Sequence, residues 1–226
     1  NLHVACAGGE LVTLKARGGE PVRRLVLDRD LRDVVVKDTR LLVSRFRTAE
    51  LIEIDASGAV VNRAQPRKTG ILNAYDLAGR PLTSTPTTAW RLLPMPGDDV
   101  LMLHQRASDS TISTKPGGYT GGMCMVGGVV TSGLTSYKST ALDGTKVGDG
   151  LVPMMTAMAV DAAVTRDGTQ IALISTSDQG VPFMQPIAIY GRTMLTPGSD
   201  SCQPPKNPPL PPTGQPAQFT AGAYDG

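Results

Sequence analysis

The sequence predicts an all-β protein built from four-stranded antiparallel sheets. The clearest unit lies between Leu31 and Arg63, where four short runs rich in Val, Ile and Leu are separated by Asp, Thr, Ser and Gly. Short runs of this kind between turn-forming residues are typical of strands joined by hairpins, and they are too short for helices. The unit is therefore predicted to be a four-stranded meander that needs similar sheets beside it to bury both of its faces.

The second observation is that this unit repeats along the chain. Leu2–Gly18 aligns on Leu41–Gly58 with a one-residue gap, at an offset of 39 to 40 residues. Two-stranded echoes follow at Trp90–Arg106 and at Asp161–Thr176, where Asp167-Gly168 predicts a hairpin turn. A period of about 40 residues with four strands per unit is typical of β-propeller blades. We therefore expect a β-propeller fragment of about four blades that form an incomplete ring.

Three segments fall outside the repeat. Residues 64–88 are expected to be an elaborated connection between blades, and residues 109–128 a glycine-rich loop, both within a propeller region of residues 1–200. Residues 201–226 are predicted to be a proline-rich connector, since seven of the thirteen residues from Pro204 to Pro216 are proline. The chain opens in mid-strand at Asn1 without Met, so we expect a piece of a longer protein that supplies the remaining blades.

Composition disfavours several classes of partner. The 22 basic and 20 acidic residues give a net charge of +2, and no basic stripe interleaved with aromatics is present, so nucleic acid is not expected. Nine aromatic residues in 226 argue against a base-stacking or sugar-stacking surface. No apolar run approaches the roughly 20 residues that a membrane span requires, so no span is predicted.

Metal and phosphate motifs are weak in this chain. Asp28, Asp30 and Asp33 form an Asp-x-Asp-x-x-Asp pattern, but the Gly and the distal Glu of a calcium-binding loop are missing. We interpret these acids as solvated turn residues and keep calcium as the alternative. The glycine-rich loop lacks the Lys and the following helix of a phosphate cradle, so its glycines are expected to permit close backbone approach.

The catalytic inventory is short, because His3 and His104 are the two histidines and neither a Gly-x-Ser-x-Gly nor a His-Glu-x-x-His motif occurs. His3 alternates with apolar residues in a predicted strand and is interpreted as a packing residue. His104 is expected to end an inner strand beside Arg106, at the funnel of the propeller. There the pair would hold an anion or contact a redox partner, or alternatively would fix the neighbouring glycine-rich loop by hydrogen bonds.

Two stretches carry a resemblance to a known family. Asp161–Thr176, with the pattern apolar-x-x-Asp-Gly-Thr-x-Ile-Ala, and Leu41–Asp55 resemble the blades of bacterial YVTN-type (YncE-like) seven-bladed β-propellers. The segment from His104 to Ala107, followed by Gly117-Gly118-Tyr119 through Cys124, resembles the propeller portion of bacterial extracytoplasmic proteins with a downstream cytochrome c domain. This resemblance implies a periplasmic or extracellular location and adds Tyr119 to His104 and Arg106 as candidate binding residues.

The cysteines stand at positions 6, 124 and 202. No Cys-x-x-Cys pair and no Cys-x-x-Cys-His motif occurs, so no cofactor is expected in this piece, and a haem c would belong to a downstream domain. If the protein is exported, as the resemblance implies, exposed thiols oxidise. We therefore expect a disulfide between Cys124 and Cys202, with Cys6 left free in an apolar strand.

Two classes of function follow from these expectations. The first is a non-catalytic propeller that serves as a scaffold or docking module for a protein or redox partner, in a protein linked to cytochrome c. The second is a propeller enzyme of the lactonase or quinoprotein type, which would hold a metal or quinone cofactor at the funnel. The first is favoured because the acids are predicted to lie in turns between blades, and not at repeated ends of inner strands.

Overall fold

The computed structural model describes residues 1–75, 81–96, 99–109, 130–138, 148–151, 158–175 and 187–192. Within these ranges the chain forms strands and turns, and they contain no helix that could span a bilayer. The fifteen strands are β1 (Leu2–Ala5), β2 (Glu10–Leu14), β3 (Arg23–Val26), β4 (Leu31–Lys37), β5 (Arg40–Arg45), β6 (Leu51–Ile54), β7 (Val60–Ala64), β8 (Thr69–Tyr75), β9 (Pro81–Pro94), β10 (Asp99–Ser108), β11 (Val130–Lys138), β12 (Gly148–Leu151), β13 (Ala159–Val164), β14 (Gln170–Ser175) and β15 (Ile187–Gly191).

The strands form four antiparallel sheets, each built from consecutive strands. Sheet 1 has the order β1-β2-β3 and sheet 2 the order β4-β5-β6-β7. Sheet 3 has the order β12-β11-β10-β9-β8, and sheet 4 the order β13-β14-β15. The predicted meander from Leu31 to Arg63 is sheet 2, and the hairpin at Asp167-Gly168 joins β13 to β14. The all-β prediction and its repeat units are thus confirmed.

The sheets pack face to face in the order of the chain. One buried apolar cluster joins sheets 1 and 2, a second joins sheets 2 and 3, and a third joins sheets 3 and 4. Sheet 2 is covered on both faces, because Leu41 and Val43 pack towards sheet 1 while Leu42 and Leu51 pack towards sheet 3. Among the described residues no such cluster joins sheet 4 to sheet 1, so the stack is an open, propeller-like series of blades.

Sheet 3 extends beyond the common blade pattern. The second half of β9 pairs with the first half of β10, as the first two strands of a blade do. The first half of β9 continues outward, where Ser84 pairs with Ser108 and Thr69, so that β8 adds a further strand. Within the connection predicted at residues 64–88, residues 69–75 form β8 and residues 81–88 form the beginning of β9.

Several predicted features lie outside the described residues. They include Tyr119, Cys124, Cys202, the glycine-rich loop and the proline-rich connector. The disulfide between Cys124 and Cys202 therefore stays a prediction. Cys6 was expected within an apolar strand, but it lies directly after the end of β1 and is partly exposed. It is a free cysteine.

Candidate functional site

The first strands of sheets 2, 3 and 4 lie against one another in succession. β4 contacts the second half of β9, and β9 in turn contacts β13. We call these three strands the inner strands. Leu31, Ala89 and Ala159 occupy equivalent positions on these strands, because each is buried between its own sheet and the preceding one. The inner strands therefore bring residues that are far apart in the sequence to one place in the fold.

Each inner strand departs from regular pairing at the same level. The register shifts between Leu31 and Val34 in β4 and between Ala159 and Asp161 in β13, and one extra β9 residue, Trp90, stands opposite the step from Leu103 to His104. A β-bulge changes the direction in which a side chain points. These bulges lie at Asp33, Arg91 and Asp161, which each follow the equivalent residues Leu31, Ala89 and Ala159 by two positions.

These three charged residues form a row across the inner strands. Arg91 lies between the two acids, with its Nη1 3.6 Å from Asp33 Oδ2 and its Nε 3.4 Å from Asp161 Oδ1. Both acids also cap the next residue of their own strand. Asp33 Oδ1 accepts from the Val34 amide at 2.9 Å, and Asp161 Oδ1 accepts from the Ala162 amide at 2.8 Å. Asp33 Oδ2 additionally accepts from the Leu92 amide at 3.0 Å, which fixes β4 to β9.

An arginine and two aromatic rings stand beside this row. The Arg32 guanidinium lies 5.4 Å from the centre of the Phe46 ring and 5.7 Å from that of Trp90, and the two rings meet edge to face at 5.4 Å. Arg32 is exposed, whereas both rings are partly buried. The indole Nε1 of Trp90 is buried and has no hydrogen-bond partner among the described residues. We call Arg32, Asp33, Phe46, Trp90, Arg91 and Asp161 the inner-strand cluster.

His104 does not lie where the sequence suggested. It stands within β10, the second strand of its blade, and its side chain is 0% exposed. Its Nδ1 lies 3.2 Å from the Gln105 carbonyl and its Nε2 2.8 Å from the Thr135 hydroxyl. Because a carbonyl only accepts, Nδ1 carries the proton and Nε2 accepts from Thr135. Burial lowers the pKa of His104 to about 3, so the ring is neutral at pH 7.

Arg106 is also buried, with 2% of its surface exposed. Its Nε donates to the Ser84 hydroxyl at 3.0 Å and its Nη2 to the Ser84 carbonyl at 3.1 Å, and Nη2 also donates to the Arg67 carbonyl. The guanidinium thus ties the segment after β7 and the first half of β9 to β10. The alternative expectation was that His104 and Arg106 fix the glycine-rich loop, whereas the bonds described here hold residues of the 64–88 segment and of β11.

The acids of the predicted calcium motif point to arginines. Asp28 Oδ2 lies 2.5 Å from Arg63, Asp30 Oδ1 lies 3.1 Å from Arg45, and Asp33 belongs to the inner-strand cluster. The pKa of Asp28 is lowered, chiefly by its hydrogen bond with Arg63. No group of three or more His, Cys, Asp or Glu side chains that would hold a metal ion occurs among the described residues.

The inner-strand cluster was not predicted from the sequence. Asp33 was interpreted as a turn acid, and the preference for a non-enzyme rested on acids lying in turns. The structure corrects that premise, because Asp33 and Asp161 both lie on inner strands. A signal was present, since the alignment of Leu31 with Ala89 and Ala159 places a charged residue two positions later in each case.

Comparison with known proteins gives little further information. No family model and no curated protein matches the chain. Among solved structures, the β-propeller domain of Cps50 (Swd1) from Myceliophteria thermophila is similar over 85% of this chain and 69% of that chain. The identity is 8% and the TM-score 0.36. The fold assignment therefore stands on the sheets themselves, and no function is carried across.

Proposed function

We propose that this chain is a non-catalytic β-propeller module that docks a protein partner at the inner-strand cluster. The observation that supports this proposal is the exposed Arg32 held against Phe46 and Trp90. Trp and Arg are the residue types that dominate binding energy in protein interfaces, above all when they are held rigidly before binding. A buried indole Nε1 without a partner adds a donor that a docked carbonyl would satisfy after a small movement of its surroundings.

We interpret the row of Asp33, Arg91 and Asp161 as a support for this docking surface, and not as a set of reactive groups. Each carboxylate already accepts a backbone amide, and Arg91 bridges the two. These hydrogen bonds fix the bulges that carry Arg32 and Trp90. The row would therefore position the docking residues, while Arg32 and Trp90 would contact the partner.

The location and the identity of the partner rest on the resemblance to YVTN-type propellers. On that basis we propose an extracytoplasmic protein whose partner is redox-linked, with a haem c domain elsewhere in the full-length protein. Fractionation of the source cells and the haem absorbance of the purified full-length protein test this part. Recovery in the cytoplasm without haem absorbance would contradict it, and the docking proposal would then be judged by itself.

Docking is tested by cross-linking the full-length protein in its source cells and identifying the linked proteins by mass spectrometry. An Arg32→Ala variant is expected to lose most of the link to the specific partner, because truncating a central interface residue costs about 2 kcal/mol or more. Arg47→Ala is the matched control, since Arg47 is exposed on the loop after β5 and makes neither ring contact. Equal cross-linking of both variants would contradict the proposal.

The second candidate is a propeller enzyme of the lactonase or quinoprotein type. The specific observation in its favour is that Asp33 and Asp161 lie at equivalent positions of two inner strands. Metal analysis of the full-length protein separates the two candidates. Stoichiometric calcium together with lactone hydrolysis, both lost in an Asp33→Asn variant, would favour the enzyme over the docking module.

A further inference from the structure

Arg32 is the exposed cation of the inner-strand cluster, and its orientation is fixed by its neighbours. Its guanidinium lies 5.4 Å from the centre of the Phe46 ring and 5.7 Å from that of Trp90. Its Nε is directed to the Trp90 carbonyl at 3.5 Å. A guanidinium held in this way has already lost much of the conformational freedom that binding would otherwise remove. Arg32 is therefore oriented in advance for a group that approaches Nη1 and Nη2.

The carboxylates around Arg32 are engaged with other groups. The two acids of the row are bridged by Arg91, and each accepts the amide of the next residue of its strand. Asp30, on the connection between sheets 1 and 2, forms an ion pair with Arg45. The side chains of Asp30 and Asp33 are only 17% and 23% exposed. Arg32 thus presents its charge to solvent, and it forms an ion pair with none of the carboxylates in the described ranges.

The surroundings of Arg32 favour a carboxylate as the group that binds there. Two parallel N–H groups of a guanidinium match the two oxygens of a carboxylate and form a charge-assisted pair. The adjacent row carries one excess negative charge, because its two acids outnumber Arg91. This row would repel a phosphate of charge about −2 more strongly than a single carboxylate. An apolar residue next to the carboxylate would pack on the partly buried rings of Phe46 and Trp90.

We propose that the docking partner is a protein segment that presents an Asp or Glu side chain to Arg32. An apolar residue beside this acid packs on Phe46 and Trp90. The inference rests on the docking function proposed above and adds the chemistry of the partner. The rings that hold the guanidinium distinguish Arg32 from the other exposed arginines, because they add a desolvated, oriented contact to the charge.

Binding is measured through Trp90, which is the single tryptophan of the 226-residue chain. The probe is the acetylated and amidated peptide Gly-Leu-Glu-Leu-Gly, titrated into the protein at low ionic strength. We expect a saturable change in Trp90 fluorescence, and at least about tenfold weaker binding when Gln replaces Glu, because the amide is uncharged. A peptide with phosphoserine at this position is expected to bind more weakly than the Glu peptide. Tighter binding of the phosphoserine peptide would overturn the carboxylate in favour of a phosphate.

Protein variants test whether Arg32 is the binding residue. Arg32→Gln is expected to weaken binding of the Glu peptide at least about tenfold. Arg166→Gln is the matched control and is expected to leave binding unchanged, because Arg166 is an exposed arginine in the turn between β13 and β14, away from the bulge at Asp161. Circular dichroism establishes that both variants are folded. Equal affinity of the two variants, or of the Glu and Gln peptides, would overturn the acidic partner.

The cross-linking experiment described above separates this inference from the docking function. Arg32→Gln is expected to lose the link to the partner as fully as Arg32→Ala. Loss in Arg32→Ala together with retention in Arg32→Gln would overturn the acidic partner and leave docking intact, because a neutral side chain would then suffice. Retention of the link in both variants would contradict the docking function itself.

Discussion

At the scale of single residues, His104 is a polar group held neutral inside a sheet. Gly133 pairs with it across β10 and β11, and a Cβ on Gly133 would stand 2.7 Å from His104 Cε1 and 3.1 Å from Arg106 Cδ. The His104 imidazole occupies the space that the side chain of any residue larger than glycine would need at position 133. The two partners therefore explain the orientation of the ring, whereas burial, assisted by the nearby charge of Arg106, explains its low pKa.

The first prediction concerns pH. Because the folded pKa of His104 is about 3 and the unfolded value is 6.5, the unfolded chain binds the extra proton as pH falls below 6.5. The stability that neutral His104 permits is therefore complete above pH 6.5 and is lost progressively towards pH 3, with a slope of at most about 1.4 kcal/mol per pH unit. Urea unfolding at pH 7.0, 6.0 and 5.0 measures the free energy of unfolding. As pH falls, we expect this free energy to decrease less steeply for His104→Gln than for the wild type.

His3→Gln is the control for that comparison, because His3 is only partly buried, although burial and Arg23 lower its pKa as well. Its pH profile should follow the wild type closely. Asp109 and Asp167, whose pKa values are lowered to about 2, lose their contribution only below pH 3.8 and leave this window undisturbed. An identical slope for wild type and His104→Gln would contradict the buried neutral ring.

The second prediction is that Gly133→Ala destabilises the protein by about 1–3 kcal/mol through overpacking against His104. In a His104→Ala background the same change is expected to cost much less, so that a double-mutant cycle gives a coupling energy of the same order. Gly8→Ala is the matched control, since nothing lies within 4 Å of its Cβ position. Additive effects of Gly133→Ala and His104→Ala would show that the clash is absent.

Residue patterns in the sequence predicted only part of the surroundings of His104. The spacing of His104 and Arg106 in an apolar run does predict that both side chains share one face of a strand. It does not show that the neighbouring sheet covers that face, because burial depends on blades that lie far away in sequence. The sequence did not indicate that position 133 requires glycine, since this requirement comes from its cross-strand partner His104, 29 positions away.

At the scale of elements, strand positions and hairpins were predictable. The run at Leu31–Lys37 appears as β4, and the alternating run predicted at Glu50–Asp55 appears as the slightly shorter β6. The turn at Asp167-Gly168 also appears as expected, because alternation and turn chemistry are local properties. The bulges at Asp33, Trp90 and Asp161 were not predictable, since a bulge is a property of pairing between two strands. For that reason the inner-strand cluster was missed.

The third prediction concerns the contribution of Gly168 to the stability of the hairpin between β13 and β14. Gly168 has φ +70°, and its added Cβ would meet Pro96 Cδ at 2.8 Å, so Gly168→Ala combines backbone strain with a clash. Gly18→Ala isolates the strain, because Gly18 has φ +84° and nothing within 4 Å of its Cβ position. In urea unfolding we expect Gly18→Ala to lower the free energy of unfolding by about 1–2 kcal/mol and Gly168→Ala to lower it by more. Equal losses of stability in the two variants would mean that Pro96 does not clash with the added Cβ at position 168.

At the scale of the whole molecule, the repeat period predicted the order of the sheets. Because each unit buries its faces against its neighbours, an offset of 39 to 40 residues is enough to infer a stack. The period did not predict the two extra features of sheet 3, namely the extension of β9 and the addition of β8. These depend on Arg106 and its bonds to Ser84 and Arg67, which no repeat pattern contains.

The two ends of the stack determine how the isolated chain behaves. On the outer face of sheet 1, Val26 is 83% exposed and Leu2 54% exposed, and on sheet 4 the cross-strand pair Ile174 and Ile187 is 44% and 42% exposed. Further blades would cover such faces in a closed ring. Without them, uncovered apolar faces and strand edges favour association between copies.

The fourth prediction follows from these ends. The isolated chain is expected to self-associate with increasing concentration, and the double variant Ile174→Thr with Ile187→Thr is expected to reduce this association, because Thr keeps strand propensity while removing apolar surface. Its urea midpoint should change little, since both side chains are already largely in water. The control replaces Val60 and Val61 by Thr, on the exposed outer strand β7 and away from the end faces. Sedimentation velocity across a concentration series measures the effect, and a larger reduction by the control variant would mean that the outer strand, and not the open end of sheet 4, mediates association.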